Sequence, residues 1–181
     1  MPVPHQRSGM DPYVDVCRRF EDARVRYVII GAFGINFYAQ QAGEIITTGD
    51  CDVLVPAQFR AFRKALTTLV SMDFVLDAGN EPVPNLDSAL VKGILRARAV
   101  VRAERADARV DLCTQVAGTG FQELWEAHRE FVVEGVKLRV GPLQGLVTSK
   151  QTADRPKDRL FLEQHKEIIE TMLRKRKREA E

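Results

Sequence analysis

Residues 27–56 read YVIIGAFGINFYAQQAGEIITTGDCDVLVP. The apolar, β-branched run at 27–30 stops at Gly31, and a second run at 53–55 stops at Pro56; both patterns are typical of short strands buried on both faces. Residues 33 to about 41 follow the first run directly and read as a helix, and Thr47-Thr48-Gly49 is turn chemistry. The stretch therefore predicts a strand, a helix and a second strand.

Two acids, Asp50 and Asp52, stand two positions apart at the start of the second strand, with Cys51 between them. Because side chains alternate along a strand, we expect both carboxylates on one face and Cys51 in the core. Two like charges on one face of an apolar strand are unfavourable unless a cation lies between them. Hard oxygen ligands at this spacing suit Mg²⁺, which typically takes one or two carboxylates.

A third acid, Asp111, interrupts the strand-like run Arg109-Val110-Asp111-Leu112-Cys113. If that strand lies beside the one with the acid pair, the three carboxylates converge. Such a site can hold two metal ions for an in-line phosphoryl or nucleotidyl transfer. The strand that ends at Gly31-Ala32 leads straight into a helix and so exposes backbone N–H groups at a positive helix terminus, which favours phosphate binding.

The remaining pattern predicts one α+β domain with a small mixed sheet, flanking helices and a helical C-terminal segment. Asp11-Pro12 is expected to begin the first helix, and residues 79–85 read as a surface loop. We expect a flexible segment over 1–10, a core over 11–141, and a C-terminal segment over 142–181 with a basic tail. The other predicted elements are a helix over 59–70, a strand at 74–76, hairpins at 99–103 with 109–114 and 131–133 with 136–140, a short helix through Trp125, and helices opened by Pro142 and Pro156.

Composition limits the classes of function. The 181 residues carry 27 basic and 25 acidic side chains, a net charge of +2, which argues against a protein that coats nucleic acid through bulk charge but leaves room for a local patch. The three cysteines have no CxxC spacing, so a reducing, cytoplasmic setting fits best. No secretory signal or membrane-spanning stretch is predicted.

These motifs resemble the nucleotidyltransferase superfamily of the DNA polymerase β type. The first family motif, an apolar strand, a glycine, a helix and Thr-x-Asp-x-Asp, is matched by residues 28–32 and 48–55, and the third acid by Val110-Asp111-Leu112. The likeness is strongest to the minimal nucleotidyltransferases and the AbiEii/AbiGii-type toxins, whose helical lysine and Arg-x-Lys-Asp segment resemble Ser149-Lys150 and residues 155–158.

The resemblance implies a metal site and its ligands. Asp50 and Asp52 would bind two Mg²⁺ ions, or Mn²⁺, and Asp111 would bind one of them and help activate the acceptor hydroxyl.

It also implies contacts for a nucleoside triphosphate. Gly31, Ala32 and Thr48 would contact the triphosphate, with Ala32 at a position where the family has glycine or serine. Lys150 would neutralise charge that develops on the phosphates, and Asp158 would position Lys150 or the acceptor.

The acceptor stays open at the level of sequence. The AbiEii-type likeness implies tRNA or another RNA 3′ end, a toxin role and an antitoxin as partner; a small molecule such as an aminoglycoside is the alternative, and a catalytically inactive relative that only binds nucleotide or nucleic acid is another. The basic run Arg174 to Arg178 is either a solvated helix end or an arm that holds an RNA backbone.

Overall fold

The computed structural model describes residues 11–180, with side chains through 178. Within that range the chain forms one mixed sheet of eight strands in the order β4-β3-β5-β6-β2-β1-β8-β7, with helices packed against it. The strands are β1 (Val28–Ile30), β2 (Cys51–Leu54), β3 (Val75–Ala78), β4 (Glu81–Pro82), β5 (Val101–Arg105), β6 (Ala108–Cys113), β7 (Arg129–Val133) and β8 (Val136–Val140).

The helices connect and cover these strands. They are α1 (Pro12–Asp22), α2 (Gly31–Gln41), α3 (Phe59–Val70), α4 (Ser88–Ala97), α5 (Phe121–Glu126), α6 (Leu143–Ala153), α7 (Pro156–Gln164) and α8 (Lys166–Ala180). No helix within residues 11–180 combines the length and the apolar character needed to cross a bilayer.

The centre of the sheet sets the geometry of the cavity described below. Strand β2 runs antiparallel to β1, with Ile30 opposite Asp52, and parallel to β6, with Asp52 beside Asp111. All three residues of β1 are buried, as its unbroken apolar run predicts for a central strand. One row across three strands therefore contains the end of β1 and two of the three predicted acids.

Several sequence predictions are confirmed. The mixed α/β fold, the strand–helix–strand order of residues 27–56 and both hairpins are present. Helix α1 begins where Asp11 and Pro12 indicate, because the Asp11 carboxylate accepts a hydrogen bond of 2.8 Å from the Tyr13 backbone N–H. Cys51 is buried in the core. The segment predicted to be flexible, 1–10, lies outside the described residues.

Other predictions were wrong in detail. Helix α2 begins at Gly31 rather than at 33, and β2 begins at Cys51, so Asp50 precedes the strand instead of lying in it. The predicted loop at 79–85 contains the two-residue strand β4, and helix α4 was not predicted, although Asp87 caps it by accepting a hydrogen bond of 2.8 Å from Leu90 N–H.

The helix predicted to begin at Pro156 is present as α7, and a second helix, α8, follows it after His165. The two parts have different partners: α7 contributes Phe161 to the cavity wall, whereas α8 packs on α2, where the Arg176 guanidinium lies 5.0 Å from the centre of the Tyr38 ring. The break at His165 separates the helix that lines the cavity from the helix that packs on α2.

Helix α6 lies very close to α2. A Cβ atom added at Gly34 would lie 2.9 Å from Leu146 Cδ1 and 3.2 Å from the Ile29 carbonyl oxygen. Gly34 therefore permits an approach that a larger residue would prevent, and this contact holds the first C-terminal helix against the sheet.

We predict that Gly34→Ala lowers the free energy of unfolding by about 1–3 kcal/mol, because the new methyl group overpacks the contact between α2 and α6. The matched control is Gly93→Ala in α4, where an added Cβ meets nothing within 4 Å and the higher helix propensity of alanine should stabilise the protein by up to about 1 kcal/mol. Urea denaturation of both variants checks the prediction, and effects of the same sign would contradict it.

Candidate active site

A cavity of about 640 Å³ opens beside the row formed by Ile30, Asp52 and Asp111. The sheet supplies its floor, and α6 and α7 supply the opposite wall. All of the residues predicted from sequence as site residues line it: Gly31, Ala32, Thr48, Asp50, Asp52, Asp111, Lys150 and Asp158. Residues separated by more than 100 positions in the sequence thus share one surface.

Gly31 and the Asp52 carboxylate are in close contact. Gly31 has φ +67°, and a Cβ atom at this position would lie only 2.4 Å from Asp52 Oδ2, so glycine is required both by conformation and by space. Helix α2 begins at this residue and has no side-chain cap. The first backbone N–H groups of α2 therefore start beside the Asp52 carboxylate.

Burial, and after it the neighbouring charge of Asp111, raise the pKa of Asp52 to about 6, although Lys150 acts in the opposite direction. At neutral pH the carboxylate is ionised at a cost to the folded state, because its pKa is higher than the ordinary value of 3.8. The site therefore contains negative charge that the surrounding protein does not fully compensate.

Arginines contact the other two acids. Arg102 on β5 donates a hydrogen bond of 3.1 Å from Nε to Asp111 Oδ1, and these two residues are register partners across the hairpin. Arg109 Nε lies 3.4 Å from Asp50 Oδ1. This nitrogen atom is buried and makes no hydrogen bond. In this arrangement, within the described part of the chain, no three Asp, Glu, His or Cys side chains form a group that could hold a metal ion.

The donor set nevertheless fits a hard cation. Asp52 and Asp111 are neighbours on parallel strands, the charge of Asp111 disfavours ionised Asp52, and one or two carboxylates are what Mg²⁺ usually takes from a protein. Arg102 supplies a positive charge at Asp111 in the structure, so a metal ion and this guanidinium would compete for the same carboxylate.

The opposite wall contains a buried ion cluster. The side chain of Asp158 is fully buried and accepts hydrogen bonds from Lys150 Nζ at 3.1 Å and from Arg155 Nε at 2.6 Å. Burial acts to raise the pKa of Asp158, but the hydrogen bonds from Arg155 and Lys150 outweigh it and hold the pKa below its ordinary value. Lys150 Nζ also lies 4.6 Å from the centre of the Phe161 ring, so this ammonium group is held in one position facing the carboxylates.

Sequence reasoning missed several residues of the cavity. Arg102 was not singled out, although counting back along the hairpin from its tight turn at 106–107 places it opposite Asp111. Phe161, which lines the cavity, was not singled out either. Apolar lining residues such as Val100, Val116 and Leu124 belong to no recognisable motif, because scattered aliphatic residues are equally typical of a core.

Comparison with known proteins supports the fold. No protein-family model matches the chain, and no curated protein matches it. A candidate nucleotidyltransferase (TM1012) from Thermotoga maritima has a similar structure, with 12% sequence identity, coverage of 88% of this chain and 97% of that one, and a TM-score of 0.54.

Two structures of ANT(2'')-Ia are also similar, each with a TM-score of 0.49. A complex with adenylyl-2''-tobramycin is 13% identical and covers 87% of this chain and 90% of the other. A solution structure of the same antibiotic-resistance factor is 16% identical, with coverage of 94% and 95%. At sequence identities this low, structural similarity is evidence for a shared fold and for nothing more. The similarity to the Thermotoga maritima structure shows that the chain has a nucleotidyltransferase-like fold.

We predict that Asp52→Asn stabilises the metal-free protein at pH 7.5 by about 1–3 kcal/mol, since each unit of pKa shift corresponds to about 1.4 kcal/mol. A carboxyl group with a raised folded-state pKa stabilises the native state below its unfolded pKa, and that contribution is lost as pH rises through about 6. The advantage of the variant should therefore disappear near pH 4. Urea denaturation in EDTA at both pH values measures it; a variant that is less stable at pH 7.5 would contradict the prediction.

Proposed function

We propose that the protein is a Mg²⁺-dependent nucleotidyltransferase that transfers a nucleoside monophosphate from a nucleoside triphosphate to a hydroxyl group. The observation that carries the proposal is the row across the sheet: Asp52 and Asp111 lie side by side on parallel strands, against the uncapped beginning of α2. The nucleotidyltransferase-like fold supports it.

The proposed reaction is an in-line displacement at the α-phosphorus. The acceptor oxygen forms a new bond to that phosphorus, the bond to the bridging oxygen of the β-phosphate breaks, and pyrophosphate leaves with the bond electrons. The hydroxyl proton passes to Asp111 or to solvent. When bound, Mg²⁺ would polarise the phosphoryl oxygens and neutralise charge; Asp52 and Asp111 would hold it, with Asp50 as the third ligand once it leaves Arg109.

The protein's own groups have separate tasks in this proposal. The first N–H groups of α2, from Gly31 and Ala32, face phosphate oxygens. Lys150, fixed by Asp158 and by the ring of Phe161, places one positive charge near the phosphates without a further loss of side-chain entropy. The Thr48 hydroxyl donates a 3.3 Å hydrogen bond to the Asp50 carbonyl oxygen and orders the loop that carries Asp50.

We further propose an RNA 3′ end as acceptor, with tRNA as the first class to test, in a toxin–antitoxin system with an antitoxin protein as partner. The pairing of Lys150 with Asp158, and of Arg155 with the same carboxylate, supports the resemblance of residues 149–158 to the AbiEii-type toxins.

We predict that Asp52→Asn and Asp111→Asn each lower transfer at least about a hundredfold, equivalent to about 2.7 kcal/mol of transition-state stabilisation. Transfer is measured by incubating the protein with Mg²⁺ and each labelled nucleoside triphosphate against total RNA and, separately, against aminoglycosides. Asp22→Asn, at the exposed end of α1, is the control and should keep full activity. Full activity in Asp52→Asn would refute the proposed site.

The wild-type protein is also titrated with Mg²⁺ and nucleotide in a calorimeter. If it shows neither transfer of the label nor heat of binding, it is a non-catalytic relative.

We also predict that Arg102→Gln binds Mn²⁺ severalfold more tightly than the wild type in the absence of nucleotide, because the guanidinium no longer occupies the Asp111 carboxylate. Arg102→Lys keeps the charge and should stay close to the wild type. Free Mn²⁺ measured by electron paramagnetic resonance gives the affinity without any reaction. Unchanged or weaker binding in Arg102→Gln would show that this arginine does not compete with the ion.

A further inference from the structure

Two neighbouring helices carry positive charge and no negative charge. Neither α3 (Phe59–Val70) nor α4 (Ser88–Ala97) contains an aspartate or a glutamate, in a protein whose acids and bases nearly cancel. Their cations are exposed, and within residues 11–178 none of them takes part in an ion pair of 4 Å or less: Arg60, Arg63 and Lys64 on α3, and Lys92 and Arg96 on α4.

The two helices pack against each other, so these charges lie on neighbouring elements. The Lys92 ammonium lies 5.5 Å from the centre of the Phe59 ring at the start of α3. Lys92 and Arg96 are four residues apart and therefore share one face of α4. Like charges at this spacing repel one another, which is tolerated in a folded protein but is relieved by a bound polyanion.

The positive surface continues to the mouth of the cavity. Arg98, which follows α4, donates a hydrogen bond of 3.2 Å from Nη1 to Gln115 Oε1, and Gln115 lines the cavity. Two residues further along, Val100 and then Arg102 line the cavity as well, and the Val100 side chain is 47% exposed. We name Lys92, Arg96, Arg98 and Val100 the α4–β5 surface.

The acids of the cavity leave no place for a cationic acceptor. Four carboxylates line it. Asp50, Asp52 and Asp111 are the proposed metal ligands, and Asp158 is buried beneath Lys150 and Arg155. An amino sugar with several ammonium groups would find no free carboxylate among the described lining residues and would meet positive charge at the mouth.

The basic run on α8 is a poorer candidate for the same task. Arg174 to Arg178 line no part of the cavity, and Arg176 lies over Tyr38 on the side of α2. Glu163, Glu167 and Glu170 precede the run closely in the sequence. Helix α4 itself contains no acid, the nearest being the capping Asp87 before its first turn, and the α4–β5 surface adjoins the cavity directly through Val100.

We propose that the α4–β5 surface docks the phosphate backbone of a single-stranded nucleic acid, so that its 3′ hydroxyl enters the cavity past Val100. The inference rests on the proposed function, because the cavity is where the acceptor reacts. Lys92, Arg96 and Arg98 contact successive phosphates, and Val100 offers the terminal base an apolar contact. Binding of this kind depends on salt and weakly on sequence.

The test measures binding apart from catalysis. A fluorescently labelled single strand of about 12 nucleotides, as RNA and as DNA, is titrated with protein in EDTA without nucleotide, and anisotropy is followed over a range of salt concentrations. The test variant is Lys92→Gln/Arg96→Gln. The matched control is Lys175→Gln/Lys177→Gln, which removes two exposed charges from α8. Circular dichroism confirms that both variants are folded.

We predict that the α4 variant binds at least about fivefold more weakly and that the slope of log affinity against log salt falls in magnitude by about 1.4, or 0.7 for each lost phosphate contact. The α8 variant should change neither quantity by as much as half of that. If RNA, DNA or both bind with this dependence on α4, the result supports the α4–β5 surface as the docking site. The nucleic acid that binds more tightly shows whether the protein prefers ribose or deoxyribose.

Other outcomes overturn the proposal. Loss of binding in the α8 variant alone would show that the nucleic acid binds the basic run on α8. If neither RNA nor DNA binds at low salt, an acidic protein is the occupant to test for the α4–β5 surface. The two proposals fail separately: binding that depends on α4 without any transfer would refute the enzyme, whereas transfer that is unaffected by the α4 variant would refute only the docking surface.

Discussion

The contact between Gly31 and Asp52 is the constraint on which the site depends. Strand β1 must end and α2 must begin at one residue, and the chain can turn there only through a positive φ, with no Cβ between the turn and the Asp52 carboxylate. The register between β1 and β2 agrees with this contact, because Ile30, the residue before Gly31, is opposite Asp52. The parallel pairing of β2 with β6 then brings Asp111 to the same row.

A site built in this way concentrates negative charge where solvent is scarce, and the rest of the cavity compensates for it. Arg102 lies next to Asp111 and Arg109 lies next to Asp50. Lys150, on α6, faces these carboxylates from the opposite wall. These contacts are not equivalent. The Lys150–Asp158 pair is shielded from solvent, with the lysine side chain only 13% exposed. The Arg102 side chain is 39% exposed, so its ion pair with Asp111 can break at a lower free-energy cost because water solvates the separated charges.

The sequence predicted the centre of the molecule better than its periphery. Residues 27–56 contain strong signals, since β-branched runs bounded by Gly31 and Pro56 permit few other structures. Asp52, Asp111 and Lys150 could be singled out because each is a charged residue in an apolar context or a motif. The position of Asp50 before β2, the helix α4 and the break at His165 were missed, because they depend on tertiary packing or on a single capping residue such as Asp87. Arg102 and Val100 carry no local signal; only the register of the β5–β6 hairpin assigns them to the cavity.

The close packing of Gly34 against Leu146 has a mechanical consequence. Because Gly34 has no side chain, Leu146 of α6 packs directly against the backbone of α2, which joins the wall that carries Lys150 to the helix that begins at Gly31. Separation of α6 from α2 would break this close contact, so we expect little movement between these two helices. Changes in the width of the cavity would then depend on its other borders, which include Val100, Arg102 and Gln115.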